Sequence, residues 1–185
     1  MSSAPIVGEA RHEEIATCLD AALAYARRGL RVIPVNAVLA GRCTCQAWRD
    51  RPGPGACIAP GKHPRIKKWQ TLGSTDATVI EKWFVHDFPS SNVGIVTGVT
   101  SGIFVLDVDP RHGGDETLDA LQAKHGPLPD TLQATTGGGG RHFYFKHPGG
   151  VVPDAVGIMP GLDIRGDGGF VVAPPSGHVS GGAYS

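Results

Sequence analysis

Apolar positions recur at two spacings along the chain, one typical of helices and one typical of strands. Over residues 12–28 they recur at helical spacing, and Gly29 is a natural helix stop. Shorter helices are predicted after Thr75 or Asp76 and again from Asp115, which can cap them. Runs of strand formers predict strands at residues 30–35, 93–97, 101–110, 131–136, 142–145 and 170–173, and alternation of apolar and polar residues favours another at 162–165. Helices and strands do not alternate regularly as β-α-β, so this order favours an α+β architecture with helices on one side of a largely antiparallel sheet.

The run of strand-forming residues at 101–110 ends in two carboxylates. Side chains alternate between the two faces of a strand, so Asp107 and Asp109 share a face. Pro110 cannot donate to a sheet ladder, and the strand should stop there. Two neighbouring carboxylates raise each other's pKa unless a cation lies between them, and Mg²⁺ or Mn²⁺ suits that place because these ions take oxygen ligands. The alternative is a strand end with two solvated acids at a turn.

The segment 41–68 has a different composition, rich in Pro, Gly and Arg, and regular structure is not expected there. Its side chains include three thiols and one imidazole: Cys43, Cys45, Cys57 and His63. A tetrahedral Zn²⁺ held by these four ligands would give such a loop a structure. The alternative is three free thiols and an exposed histidine. Cys18 lies on the apolar side of the first helix and is expected to be a buried thiol.

Basic residues follow the cysteines closely. Lys62, Arg65, Lys67 and Lys68 precede Trp69, and positive charge beside an aromatic ring can hold a phosphate backbone or a triphosphate. The alternative is a solvated basic loop.

Four glycines, 137–140, lead into the strand that begins near His142. Glycines allow backbone N–H groups to approach an anion closely, and His142 can donate to a phosphate. Alternation along the strand predicts that His142 and Tyr144 point away from the core. Further along, Asp163 and Arg165 share a strand face, where Asp163 could be a third metal ligand and Arg165 a phosphate ligand. The alternative is an internal ion pair that shapes a turn.

Length and composition limit the class of protein. The 185 residues, 41% apolar and 18% charged, suit one globular domain. Residues 1–11 show no periodicity and are expected to form a flexible arm. No apolar run is long enough to span a bilayer and no signal peptide opens the chain, so we expect a cytoplasmic protein without a membrane partner. The formal net charge is zero, so any surface for nucleic acid must be local. The chain stops without a closing element, and we expect it to be a piece of a longer protein.

Together these motifs resemble the N-terminal domain of bifunctional DNA primase/polymerases, the prim-pol branch of the archaeo-eukaryotic primase superfamily. The resemblance covers about residues 21–184. The motifs that carry it are Gly29-Leu30-Arg31-Val32-Ile33-Pro34, Cys43-Thr44-Cys45, Gly61-Lys62-His63-Pro64, Trp69, Asn92-Val93-Gly94-Ile95-Val96-Thr97-Gly98, Leu106-Asp107-Val108-Asp109, Arg141-His142-Phe143-Tyr144-Phe145 after the glycines, Gly161-Leu162-Asp163-Ile164-Arg165-Gly166 and Pro174-Pro175-Ser176.

The resemblance implies a fold and a domain plan. The expected fold is that of archaeo-eukaryotic primases, in which an RRM-like catalytic module follows an N-terminal α/β module. We place the prim-pol domain at residues 12–185, with the N-terminal module at about 12–100, the zinc-binding loop inserted at 41–68 and the catalytic module at about 101–185. A helicase-type region is expected further along the same polypeptide.

The resemblance also implies roles for individual residues. The first motif, Asp107 and Asp109, holds two divalent metals, Mg²⁺ or Mn²⁺, and Asp163 in the third motif joins them. The second motif binds the phosphates of the incoming nucleotide through His142; many relatives have serine where this chain has Gly140. The residues expected to bind nucleotide are Lys62, Gly139, Gly140, Arg141, His142 and Arg165.

The implied activity is a nucleotidyltransferase that copies a DNA template, using dNTPs or NTPs with or without a primer, in replication of a plasmid, phage or integrated element. Two alternatives differ in kind. One is a module that binds nucleotide or single-stranded DNA with little activity of its own. The other is a metal-dependent phosphodiesterase built on the same acids.

Overall fold

The helices and strands were located in a computed structural model, which describes residues 17–53 and 55–185. The predicted arm at 1–11 and the start of the first predicted helix lie outside these residues. The helices are α1 (Cys18–Arg27), α2 (Gln46–Asp50), α3 (Trp69–Leu72), α4 (Ala77–Glu81), which continues as a π-helix over Lys82–Asp87, and α5 (Gly114–His125), which follows a 3-10 turn at Pro110–His112. The strands are β1 (Val32–Val35), β2 (Val38–Leu39), β3 (Arg42–Cys43), β4 (Asn92–Val96), β5 (Ile103–Val108), β6 (Leu132–Thr135), β7 (Arg141–Lys146), β8 (Ala155–Met159), β9 (Leu162–Arg165) and β10 (Phe170–Ala173).

Local sequence explains where most helices begin. Thr17 and Asp20 form a capping box at the start of α1, and the Asp76 carboxylate accepts the N–H of Thr78 at 2.8 Å at the start of α4. The prediction that Asp115 caps the next helix is wrong: α5 begins at Gly114 after Gly113, whose φ of +81° suits glycine. Asp115 lies in the first helical turn instead, where a carboxylate is favourable.

Three antiparallel sheets make up the strand structure of the described chain. Five strands form the largest, in the order β6-β7-β5-β9-β8, and three form a second, in the order β1-β4-β10. The third is the short hairpin of β2 and β3. This mixed architecture with antiparallel sheets agrees with the predicted α+β class. The expectation of no regular structure in 41–68 is wrong in part, since β3 and α2 lie there.

Two apolar layers cover the two faces of the five-stranded sheet. On one face α5 packs against Leu106, Phe143 and Leu162. On the other face the end of the sheet nearest α1 is apolar, and Val105 and Tyr144 join a core formed by α1, α4 and the three-stranded sheet. The polar ends of the same strands lie beyond that core, and they form the site described below.

The three-stranded sheet draws on both of the predicted modules. Its strands β1 and β4 precede residue 101, whereas β10 follows it. The link is reinforced where the Thr97 hydroxyl donates to the carbonyl of Gly166 at 2.7 Å. No described helix combines the length and the apolar character that a bilayer crossing requires.

Candidate functional site

The register of three strands places an acid, a histidine and a second acid in one row. Asp107 on the central strand β5 lies opposite His142 of β7 on one side and opposite Asp163 of β9 on the other. Directly paired residues of antiparallel strands project from the same face, with Cβ atoms roughly 5 Å apart. The row therefore forms on the face of the sheet opposite α5, from residues distant in sequence.

Asp109 lies just past the end of β5, where Arg111 and His112 contact its carboxylate. Its carboxylate accepts from the Arg111 guanidinium at 3.0 and 2.7 Å, and it is 3.1 Å from Nδ1 of His112. It also caps the 3-10 turn by accepting the backbone N–H of Arg111 at 3.0 Å. The hydrogen bonds from Arg111 hold the pKa of Asp109 far below its usual range. The cation expected beside the paired acids is thus supplied here by the chain itself.

Arg165 connects the remaining acids of the row. Its guanidinium is 2.6 Å from a carboxylate oxygen of Asp163 and 3.9 Å from one of Asp107. The other oxygen of Asp163 accepts the N–H of Gly157 at 2.7 Å. Arginines and a backbone donor therefore already contact the three carboxylates, and a metal ion would compete with these donors.

His142 presents a single edge to the site. The side chain is buried, and its Nε2 lies 3.6 Å from a carboxylate oxygen of Asp107. Its Nδ1 is buried and has no hydrogen-bond partner among the described residues. The ring lies between those of Tyr144 and Tyr184, at centroid distances of 6.2 and 6.0 Å. Burial raises the pKa of both tyrosines, so each keeps its proton at neutral pH.

The glycine turn owes its composition to packing as well as to backbone freedom. A Cβ at Gly137 would collide with His178, and one at Gly140 would lie 2.6 Å from the Val108 carbonyl oxygen. The N–H groups of Gly139 and Gly140 donate to the carbonyl and the hydroxyl of Thr136, both at 2.9 Å. These two N–H groups are therefore not free for a phosphate in this conformation.

A pocket of about 200 Å³ opens at this end of the sheet. The acids Asp107 and Asp109, together with His142, lie along its wall. Its cationic lining comes from Lys62, Arg111 and Arg165. A concave site with two carboxylates and three cations can hold an anion and a metal ion side by side.

The four predicted zinc ligands converge in the segment 41–68. One ligand atom from each of Cys43, Cys45, Cys57 and His63 lies within 4.8 Å of every other. Nε2 of His63 is 3.4 Å from the sulfur of Cys43 and 3.3 Å from that of Cys57. A tetrahedral ion with Zn–S bonds of about 2.3 Å would set sulfurs roughly 3.8 Å apart, so the cluster has the size and the donors of a structural zinc site.

The surroundings of this cluster orient its ligands. The Asn36 amide lies 3.2 Å from Nδ1 of His63, on the side of the ring away from the sulfurs. Cys45 caps α2, its sulfur accepting the N–H of Trp48 at 3.4 Å. Burial raises the pKa of Cys57 to about 11, so binding of an ion by this thiol would release a proton. Cys18 lies outside the cluster and packs, partly buried, against the α1 core.

Comparison with known proteins identifies the family. The family model described as bifunctional DNA primase/polymerase, N-terminal, matches residues 22–185, most of the chain. The chain belongs to this family. A search of curated protein sequences found no significant match. The family description supports a DNA primase or polymerase activity, with DNA and nucleotides as substrates and a need for divalent metals.

Two of the residues expected to bind nucleotide, Lys62 and Arg141, lie on different sides of this prim-pol domain. Lys62 lines the pocket, although it comes from the loop that carries the Cys/His cluster. Arg141 points to the α5 face instead, where it contacts Asp115 at 2.6 Å and lies over the Phe143 ring at 5.2 Å. Trp69 packs edge-on against Phe170 at 4.8 Å and belongs to the core.

Sequence reasoning missed three polar residues that line the pocket of this prim-pol domain. Arg111 follows Asp109 by two positions, and its basic character in an acidic motif was a usable signal. Thr136 precedes the glycines and ties the turn together. Tyr184 reaches the pocket only because the end of the chain folds back, where its N–H donates to the Ser176 carbonyl at 2.8 Å. Nothing local in the sequence indicated that return.

Proposed function

We propose that this prim-pol domain is a template-dependent nucleotidyltransferase that joins nucleoside triphosphates as a DNA primase or polymerase. The observation that carries the proposal is the row of Asp107, His142 and Asp163 across three paired strands, at a pocket lined by cations. Family membership supports a role in replication of a plasmid, phage or integrated element. A downstream helicase region and a cytoplasmic location remain predictions from the sequence.

The strand order supports an RRM-like catalytic module. The segment from β5 to β9 runs β5-α5-β6-β7-β8-β9, and β5 is central in its sheet. A split β-α-β arrangement of this kind has its first and third strands paired, as β5 and β7 are here. In place of a second helix the chain forms the edge strand β8.

The acids supply oxygen donors suited to Mg²⁺ or Mn²⁺. In our proposal Asp107, Asp109 and Asp163 hold two such ions, which when bound lower the pKa of the attacking hydroxyl and stabilise the departing pyrophosphate. The 3′-hydroxyl oxygen of a primer, or of a first nucleotide, forms a bond to the α-phosphorus, and the bond to the pyrophosphate oxygen breaks. Arg111 and Arg165 must release their carboxylates before the acids can serve as ligands.

The cations around the pocket position the triphosphate. Nε2 of His142, the Lys62 ammonium and the released Arg165 guanidinium are the donors that we assign to phosphate oxygens. Among the glycines, Gly138 is the better candidate for a backbone donor than Gly139 or Gly140, because no described acceptor takes its N–H. Arg141 is assigned to holding α5 against β7.

The Cys/His cluster supports a structural zinc role. Its four donors are of the types and number that close a tetrahedral site, leaving no ligand position for a substrate. We propose that Zn²⁺ fixes the loop 41–68 and thereby places Lys62 at the pocket.

One assay separates the proposal from its alternatives. Labelled dNTPs or NTPs are supplied with Mn²⁺ and either an unprimed template or a template with an end-labelled primer. Lengthening of the primer, or new product without one, is expected; shortening of the labelled strand would indicate a phosphodiesterase.

A second candidate is a binding module with little turnover, and one observation favours it. Asp109 and Asp163 form ion pairs with Arg111 and Arg165, and a metal ion would have to displace these arginines. Retention of the template with no product at any Mn²⁺ concentration would favour that candidate over the polymerase.

A further inference from the structure

Charge is strongly segregated along this chain although its total is zero. The segment 41–68 contains seven of the 17 basic residues but only one of the 17 acidic residues, Asp50. It carries a formal charge of +6, and the rest of the chain carries −6. A local surplus of this size around a loop attracts a polyanion even when the whole protein is neutral.

Most basic side chains of this segment are exposed, and none has an acidic partner among the described residues. Six of the seven are exposed: Arg42, Arg49, Arg51, Lys62, Lys67 and Lys68. None of them forms an ion pair with a carboxylate in the part of the chain that the structure describes, whereas Lys82, Arg111, Arg141 and Arg165 elsewhere all do. Unpaired cations retain their full attraction for an external anion.

A groove of about 340 Å³ runs beside the Cys/His cluster, and we call it the Arg65 groove. Two guanidinium groups, those of Arg49 and Arg65, lie along it together with the ring of Phe88. The Arg65 guanidinium stacks over that ring at 5.1 Å and donates to the Ser91 hydroxyl at 3.2 Å. Because both guanidinium groups line the same groove, an anion lying between them would be attracted by both.

The groove and the acid pocket share a short piece of chain. Lys62 lines the pocket, and His63, Pro64 and Arg65 line the groove. Three residues span at most about 11 Å, so a strand that passes Lys62 reaches the groove within one or two nucleotides. An aromatic ring flanked by arginines is the arrangement on which single-stranded bases stack while the backbone is held by charge.

We propose that the Arg65 groove binds a single nucleic-acid strand, with a base against Phe88 and phosphates on Arg49 and its exposed basic neighbours. The proposal rests on the proposed function in one respect, that the strand continues past Lys62 into the acid pocket as template. Duplex is disfavoured as the occupant, because stacking on Phe88 requires an unpaired base. An acidic protein segment has no base to stack on that ring, so it would lack this contribution to binding.

The test measures binding of a fluorescein-labelled oligothymidylate by fluorescence anisotropy, at several salt concentrations and without nucleotide or divalent metal. The first variant combines Arg49→Gln, Arg51→Gln and Lys67→Gln. Its matched control combines Arg27→Gln, Lys124→Gln and Lys146→Gln, which removes the same charge from exposed residues elsewhere. The loop variant should bind at least about tenfold more weakly, and its salt dependence should fall by roughly two units in log Kd against log salt.

A second variant isolates the aromatic contact. Phe88→Leu keeps apolar packing but removes the stacking surface, and it should weaken binding on the order of tenfold with an unchanged salt slope. Phe88→Tyr should bind like the unaltered protein. Thermal unfolding checks that each variant is folded. If Phe88→Leu does not fold, Arg49→Gln alone takes its place, because Arg49 is exposed and its replacement should still weaken binding several-fold.

Three outcomes would overturn the proposal: no binding by the unaltered protein, equal losses in the loop variant and its control, or undiminished binding by folded Phe88→Leu. The assay needs no turnover, so its result is independent of the polymerase assignment. A protein that binds the strand as expected but makes no product would sink the proposed function alone.

Discussion

The acid pocket and the Cys/His cluster position their side chains by different means. At the pocket, backbone pairing of β5 with β7 and β9 fixes the row of Asp107, His142 and Asp163 before any ion binds. Asp107 and His142 line the pocket, and Asp163 lies next to Asp107. In the cluster, Cys43 ends the two-residue strand β3 and Cys45 caps α2, whereas Cys57 and His63 lie in loops. A site set by strand register should persist without metal, whereas a site in a loop should depend on it for its order.

The acid pocket and the Cys/His cluster also differ in how the charge of their ligands is balanced. Asp109 of the pocket is paired with Arg111, and the neighbouring Asp163 is paired with Arg165. The thiols have no such balance, and burial of Cys57 favours its neutral form. Metal binding must therefore displace cations at one site and protons at the other, and the predictions below test that contrast.

The largest effect is expected from Asp107→Ala with Asp109→Ala. Removing both carboxylates should lower primer extension by on the order of a thousandfold or more, because the oxygen donors for the metals are lost. Far-UV circular dichroism should be unchanged, since strand register does not depend on these side chains. Asp130→Ala, in the exposed segment before β6, is the control. Retained extension by the double variant would refute the assignment.

The next effect concerns the cluster. Cys43→Ser with Cys57→Ser should reduce bound zinc from about one ion per chain to almost none and lower the thermal unfolding midpoint by several degrees. Cys18→Ala changes a thiol outside the cluster and should leave zinc content unaltered. Metal analysis of purified protein decides the matter. Absence of zinc from the unaltered protein would refute the structural zinc proposal but would not bear on the roles assigned to the pocket acids.

A smaller effect is expected at Arg111. Arg111→Gln removes the cation that holds Asp109, so Mn²⁺ should bind the nucleotide-free protein several-fold more tightly in calorimetry. Arg28→Gln, at the end of α1, controls for the change in total charge. Weaker Mn²⁺ binding by Arg111→Gln would mean that the arginine supports the metal site instead of competing with it.

The smallest effect is a change in acid sensitivity where the two larger sheets meet. The N–H groups of Val99 and Val152 donate to Asp167 and hold its pKa below the usual value. Such a carboxylate stabilises the fold above the unfolded-state pKa of about 4, and that contribution is lost as the pH falls toward the depressed value. Urea unfolding of Asp167→Asn should therefore lose less stability than the unaltered protein between pH 6 and roughly pH 3. Equal losses would contradict this.

Sequence periodicity predicted much of the secondary structure but not the small elements. The strands at 103–108 and 170–173 follow directly from runs of strand formers. Strand β8 was missed because its residues, from Ala155 to Met159, include a central glycine and are mostly exposed, so no alternation marks it. Helix α5 begins without a side-chain cap, and the usual start signal therefore misplaced its first residue.

Residue chemistry and alternation along single strands determined the candidate groups of this protein: the acids of the 101–110 run, the histidine after the glycines and the four soft zinc donors. Only the tertiary structure decided their partners. Pairing across a sheet joins residues far apart in sequence, so it alone brought Asp163 beside Asp107. The return of the chain after β10 brought Tyr184 to the pocket. Side-chain direction is a local property of a strand, whereas proximity depends on long-range register, and no single stretch of sequence encodes it.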